Sequence, residues 1–209
     1  MKTRKLLAIS HNARLPIWAS LICMTLSVGA PSPALAESKD PAEGTIVFYS
    51  EASGTWHSGS PIVGRNSVVD SNRQNRLNPL VIGLCNAGAV ELNVASFASS
   101  ADGVVSLKCG TVSDGYIHIR NRHQSSWEIQ NLGGLFWDDD MVWATSRALI
   151  APVSVVNRPG SKRCYTTPIQ VFRHVNGAIQ LVKTFNPTVL VSTNNKIVIT
   201  SIPTTKSSC

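Results

Sequence analysis

Two histidines and two arginines crowd one stretch of the chain, Tyr116-Ile117-His118-Ile119-Arg120-Asn121-Arg122-His123, with Gln124 and Trp127 just beyond it. The combination supplies what metal-free cleavage of RNA needs. One imidazole takes the proton of the 2′-hydroxyl, a second protonates the departing 5′-oxygen, and fixed positive charge steadies the phosphorane-like transition state. Histidine suits both transfers because its unperturbed pKa of about 6.5 lies near working pH. The guanidinium fork of Arg120 or Arg122 matches phosphate oxygens. Spacing sets a condition: five residues apart, His118 and His123 fall on opposite faces of a strand, or roughly 140° apart around a helix. A break between strand and helix is therefore expected if both are to face one pocket; without it, only one of the two is catalytic.

Other groupings carry less chemistry. His57 follows Trp56 in a Ser/Gly-rich stretch from Ser53 to Pro61, and reads as a solvated loop side chain, with a ligand-binding loop as the sharper alternative. Asp138-Asp139-Asp140 reads as the acidic start of a helix, where negative charge is favoured. As a metal site it is poor, because three adjacent carboxylates point in different directions and calcium loops space their ligands around a glycine. There is no GxSxG nucleophile turn, no P-loop and no dinucleotide fingerprint. No CxxC pair suggests zinc, so neither a metal nor a cofactor is expected.

The elements that must position these groups begin after an export signal. Lys2, Arg4, Lys5 and Arg14 precede an uncharged apolar run from Ile17 to Ala30, and Ala34-Leu35-Ala36 follows Pro31 and Pro33. That order is a cleavable signal peptide over residues 1–36, and its run is shorter than the about 20 residues a bilayer span needs. The reading is a secreted protein, extracellular or envelope-associated, with no membrane span after cleavage. The signal carries four of the 19 basic residues and none of the 12 acidic ones, so the mature charge is only +3, which permits an anionic partner without demanding one.

Residues 37–43 read as a linker, 44–110 as a β-rich N-terminal region, and 111–209 as an α+β domain. Strands are expected at Thr45–Tyr49, Pro79–Leu84, Val90–Phe97 and Val104–Lys108, from short Val/Ile/Leu-rich runs between Gly, Asn, Ser and Asp. The polar stretch Asn66–Asn78, with Arg65, Arg73 and Arg76 in or beside it, reads as a solvated loop, with a basic groove as the sharper alternative. Trp137, Met141, Ala144 and Ala148 recur every three or four residues, which predicts a helix from about Asp140 to before Pro152. The last fifty residues predict four strands, Tyr165–His174, Ala178–Phe185, Thr188–Ser192 and Lys196–Ile202, separated by turns at Asn176-Gly177, Asn186-Pro187 and Asn194-Asn195. The fold class is α+β: a β-rich N-terminal half, then helices, then a four-stranded antiparallel meander.

Four cysteines remain after the signal, Cys85, Cys109, Cys164 and Cys209. An even count in an exported chain reads as disulfides. Three connectivities are open, and pairing within each half favours Cys85–Cys109 and Cys164–Cys209.

The order of GYIHIRNRH, WATSRALIAP, the hairpin IQVFRHVNGAIQLVKTF and the ending KIVITSIPT resembles the C-terminal RNase domains of bacterial polymorphic toxins, of barnase/EndoU/RelE-type fold. The resemblance covers about the last hundred residues. It implies cleavage of RNA without metal to a cyclic phosphate, His118 and His123 as acid and base, and phosphate binding by Arg120 or Arg122. Thr200 and Ser201 would enter the catalytic site from the last strand, and Lys196 would serve as a phosphate-binding lysine. RNA is then the substrate, a neutralising immunity protein the partner, and the toxin a monomer. Ile202 stands where such domains carry an aromatic residue before Pro203. The competing reading is a non-catalytic secreted module that binds a cell-surface polymer or protein through the β-rich front half.

Overall fold

Nine strands form one strongly bent sheet, and the computed structural model describes residues 43–59 and 77–209 of the chain. The expected signal peptide, nearly all of the linker and most of the arginine-bearing loop lie outside the described residues. In β1 (Ile46–Ser50) every second residue is buried, so Ile46 and Phe48 enter the core while Val47 and Tyr49 face the other way. β2 (Thr55–Ser58) folds back along it. β3 (Asn93–Ser99) and β4 (Gly103–Lys108) form a hairpin that buries Phe97, Val105 and Leu107. β5 (Ser154–Arg158), β6 (Lys162–Thr166), β7 (Ile169–Val175), β8 (Ala178–Ser192) and β9 (Ile197–Thr204) complete the set. The sheet order is β2-β1-β7-β8-β9-β4-β3, with β5 on β6 and β6 on β8. Since β1 pairs with β7 and β4 with β9, the segments 44–110 and 111–209 contribute to the same sheet.

The C-terminal strands differ from the expected four. Asn186-Pro187 makes no turn: β8 runs through it for 15 residues, pairing β7 along its first half and both β6 and β9 along its second. Pro187 sits opposite Pro203, and two prolines that face each other leave no ladder donor unpaired, because neither has an N–H. The expected strand Tyr165–His174 is instead divided at Thr167-Pro168 into β6 and β7.

Two further expectations are corrected. Pro79–Leu84 is not a strand but the body of helix α1 (Pro79–Asn86). A short apolar run fits either element, and the local signal that decides is the cap: Asn78 Oδ1 accepts from Leu80 N at 3.0 Å, with Pro79 in the first turn. Nor is there a strand-to-helix break in the histidine segment, which is one continuous helix, α2 (Gly115–Gln130). Its entry is set by the turn Thr111–Asp114, where Asp114 Oδ1 accepts from Thr111 N and Oγ1 at 3.0 and 2.9 Å. Gly110 and Gly115, at φ of +66° and +73°, let the chain close on itself there. A Cβ on Gly115 would stand 2.7 Å from Lys108 O, and one on Gly110 only 2.2 Å from Asp114 O.

Helix α3 (Trp137–Ile150) starts three residues before the expected position, so the acidic triplet falls within its first turn. Trp137, Met141, Ala144 and Ala148 are buried as their spacing requires. Both long helices reach the sheet at β9: the Trp127 indole donates to Ser201 O at 3.1 Å, and Thr145 and Ser201 share a hydroxyl hydrogen bond of 2.8 Å. The result is an α+β fold, and no described helix is long and apolar enough to cross a membrane.

Cys85 is bonded to Cys109 and Cys164 to Cys209. The second bond ties β6 to Cys209 across a separation of 45. Closing a loop of that length restricts the unfolded chain by about 4 kcal/mol. Serine at both Cys164 and Cys209 is accordingly expected to lower the unfolding free energy by about that amount, read as a drop in the urea midpoint. An unchanged midpoint would show that the bond constrains nothing.

Candidate active site

The histidine cluster is built on α2, which buries Tyr116, Ile119 and Trp127 and leaves its polar flank outward. On that flank the His118 and His123 rings meet edge to face, with centroids 5.4 Å apart and planes at 75°. Five residues along a helix should separate them. They nevertheless meet, with the His118 ring placed so that Nδ1 lies 2.9 Å from Val112 O in the loop before the helix. A carbonyl can only accept, so Nδ1 carries a proton and Nε2 is left for chemistry. His123 is partly buried. Burial, then the positive charges of His118 and Arg122, hold its pKa below the ordinary 6.5 of histidine. Arg122 is exposed beside it. Arg120 donates to Asn86 Oδ1 at the end of α1, which fixes its guanidinium against the helix surface.

The other residues named for this site lie elsewhere. Ser201 is fully buried, its Oγ occupied by Thr145, so it is a core contact between β9 and α3 and not a group open to a phosphate. Thr200 is its neighbour on the strand, and alternation turns it to the opposite face of β9. Its Oγ1 is buried without a hydrogen-bond partner. Lys196 Nζ lies 3.0 Å from Asp102 Oδ1, which Arg163 Nη1 also reaches at 2.9 Å. Tyr165 Oη donates to the same carboxylate and accepts from Ser99 Oγ at 3.1 Å. Lys196 therefore neutralises a carboxylate whose side chain is 1 % exposed. Burial alone would raise the pKa of Asp102, but Tyr165, Lys196 and Arg163 outweigh it and hold the group below its ordinary 3.8. Of the seven residues assigned to catalysis and phosphate binding, His118, His123, Arg120 and Arg122 share α2, while Thr200, Ser201 and Lys196 stand apart.

Comparison of the chain with protein-family models, curated proteins and solved structures finds no match. Its chemistry rests on its own side chains.

One arrangement escaped the sequence reading. His57 is not a solvated loop residue: it lies on β2, its side chain is 12 % exposed, and its Nε2 is 3.1 Å from Asp140 Oδ1. Its ring stacks on Trp143 at 5.0 Å with planes 11° apart. The available signal was the two-residue period of Thr55–Ser58, which puts Trp56 and His57 on opposite faces. The other two acidic residues of the triplet also have separate partners. Asp138 Oδ2 accepts from Tyr116 Oη at 3.1 Å and Asp139 Oδ1 from Leu77 N at 2.7 Å. Burial pushes the Asp138 carboxyl above its ordinary range, and burial together with Asp138 pushes the Tyr116 phenol up as well. The three carboxylates thus diverge, and no group of three or more metal-ligating side chains gathers among the described residues.

Proposed function

We propose that the polar flank of α2 is the active site of a secreted, metal-independent endoribonuclease of toxin type. The observation that carries this reading is the contact between the two imidazoles, 5.4 Å apart by ring centroid. His123, held below the usual histidine pKa, is an unprotonated base at neutral pH and takes the 2′-hydroxyl proton. His118, its Nδ1–H donated to Val112 O, serves as the acid in its doubly protonated form, giving up the proton of Nε2. The 2′-oxygen bonds to phosphorus, the bond from phosphorus to the 5′-oxygen breaks, and the leaving oxygen takes its proton from His118. The products are a 2′,3′-cyclic phosphate and a 5′-hydroxyl. Arg122, exposed at the next position, neutralises the phosphate oxygens, and Arg120, anchored on Asn86, adds positive charge from the same helix. Thr200, Ser201 and Lys196 have no part in it. A neutralising immunity protein is the partner such a toxin requires, and covering the α2 flank would suffice to block it.

The chemistry depends on the 2′-hydroxyl, and that makes a direct test. An oligonucleotide of deoxynucleotides with one internal ribonucleotide is expected to be cut only after that residue, while the all-deoxy strand stays intact. Cleavage of the all-deoxy strand would rule the mechanism out.

A second reading, binding of a neutral surface polysaccharide, is favoured by one feature of the front half. Trp56, 53 % exposed, lies against Tyr49 at 4.5 Å and Phe172 at 5.4 Å on the face of the sheet opposite the core. By register the same face carries Val47, Ser58 and Gln170, apolar or hydrogen-bonding but uncharged. Rings of this kind stack on sugar rings. Retention on an insoluble neutral polysaccharide, abolished by Trp56→Ala, is the result that reading requires. Equal elution of both proteins would dismiss it.

A further inference from the structure

Helix α3 also forms one wall of a cavity of about 320 Å³, lined by Leu77, Phe97, Val142, Trp143, Ser146 and Arg147 together with Ala95, Ser96 and Asp139. The volume is that of a small-molecule site. Its most telling member is Arg147. Among the described residues no carboxylate lies within ion-pair distance of its guanidinium. Nη1 is 3.4 Å from Thr55 Oγ1, Nη2 donates to Ser146 Oγ at 2.6 Å, and Nε is buried with no hydrogen-bond partner. A half-buried cation that meets neutral oxygens and the Trp143 ring but no carboxylate is poorly compensated, and burial here works against its charge.

An anion entering the cavity would supply the missing counter-charge, because the planar guanidinium fork takes a carboxylate through two parallel hydrogen bonds. The surrounding wall says what the anion should be attached to. Phe97, Val142 and Leu77 are apolar. Trp143 offers a flat ring that His57 holds by stacking, His57 itself being fixed by Asp140, and the Arg147 guanidinium carbon lies 5.9 Å from the centre of that ring. Asp139, on the same wall, adds negative charge that a monoanion tolerates better than a phosphate dianion. We infer that this cavity binds a monocarboxylate carried on a flat, aromatic-sized apolar body, with the carboxylate on Arg147 and the body along Trp143 and Phe97. The site is independent of the α2 histidines, and nothing in the ribonuclease reading uses it.

The test is calorimetric titration of the full oxidised chain with 1-naphthoate, 1-naphthalenemethanol and 1-naphthyl phosphate. Saturable binding is expected for naphthoate, weaker by about tenfold or more for the uncharged alcohol, and weaker for the phosphate than for naphthoate. Arg147→Gln should lose naphthoate by a similar factor, with its fold checked by circular dichroism. Should that variant fail to fold, Val142→Trp fills the cavity while leaving Arg147 in place and is expected to abolish binding. Absent binding of naphthoate, equal affinity for acid and alcohol, or unchanged affinity in folded Arg147→Gln or Val142→Trp would each overturn the assignment.

Discussion

Alanine at either His118 or His123 is expected to slow RNA cleavage by about 10²- to 10⁴-fold, the usual worth of a positioned acid or base. The two changes should not add when combined, since the proposed mechanism puts both groups in one transition state and losing one already removes the concerted proton transfer. Stability should change little, because both side chains lie on the polar flank of α2 and its buried residues are Gly115, Tyr116, Ile119 and Trp127. The same geometry sets the pH dependence. The base must be unprotonated, and His123 lies below 6.5 through burial, His118 and Arg122. The acid limb of kcat/KM should therefore fall below pH 6.5. Arg122→Gln removes one of the charges that depress the pKa, so the limb should move to higher pH. A limb unmoved in that variant, or single alanine variants that cleave at the wild-type rate, would remove His123 from the role of base.

Asp102→Asn should lower the unfolding free energy at pH 7 by about 2 kcal/mol, in the range for a buried hydrogen bond to a charged group. The substitution keeps the shape and removes the charge that Arg163 and Lys196 face at 2.9 and 3.0 Å. Because the folded-state pKa of Asp102 is below its ordinary 3.8, the carboxylate contributes stability above the unfolded-state value and loses it as pH falls through the folded one. The difference between wild type and Asp102→Asn should be constant from neutral pH to about 5 and should shrink below about 4. Urea titrations across that range measure it. A difference that stays constant down to pH 2 would mean that the ionised carboxylate is not what β3, β6 and β9 share.

How much of this was readable beforehand depended on whether the signal was local. The stripe Trp137, Met141, Ala144, Ala148 announced α3, and the short apolar run Thr45–Tyr49 announced β1. Strand β8 misled because Asn186-Pro187 is a turn dipeptide that long-range pairing overrides: β6 and β9 hold both edges of its second half. Helix α2 misled for another reason. It buries only Gly115, Tyr116, Ile119 and Trp127 within 16 residues, too sparse a stripe to stand out from a polar segment.

The site divides in the same way. His118, Arg120, Arg122 and His123 were legible as a cluster because they are neighbours in sequence, whereas the contact of the two rings depends on a carbonyl at Val112 that no pattern marks. Ser201 and Lys196 were placed in the cleft by position in the last strand, but strand alternation and the buried Asp102 claim them instead. The His57–Asp140 pair joins residues 83 apart, and nothing within either segment pointed to the other.

The nature of the cut end tests the proposed cleavage most directly. Folded, oxidised protein incubated with labelled RNA in EDTA should yield 3′ fragments that begin with a 5′-hydroxyl and 5′ fragments that end in a 2′,3′-cyclic phosphate by mass spectrometry. Intact RNA at high protein concentration, or fragments bearing 5′-phosphates, would contradict it.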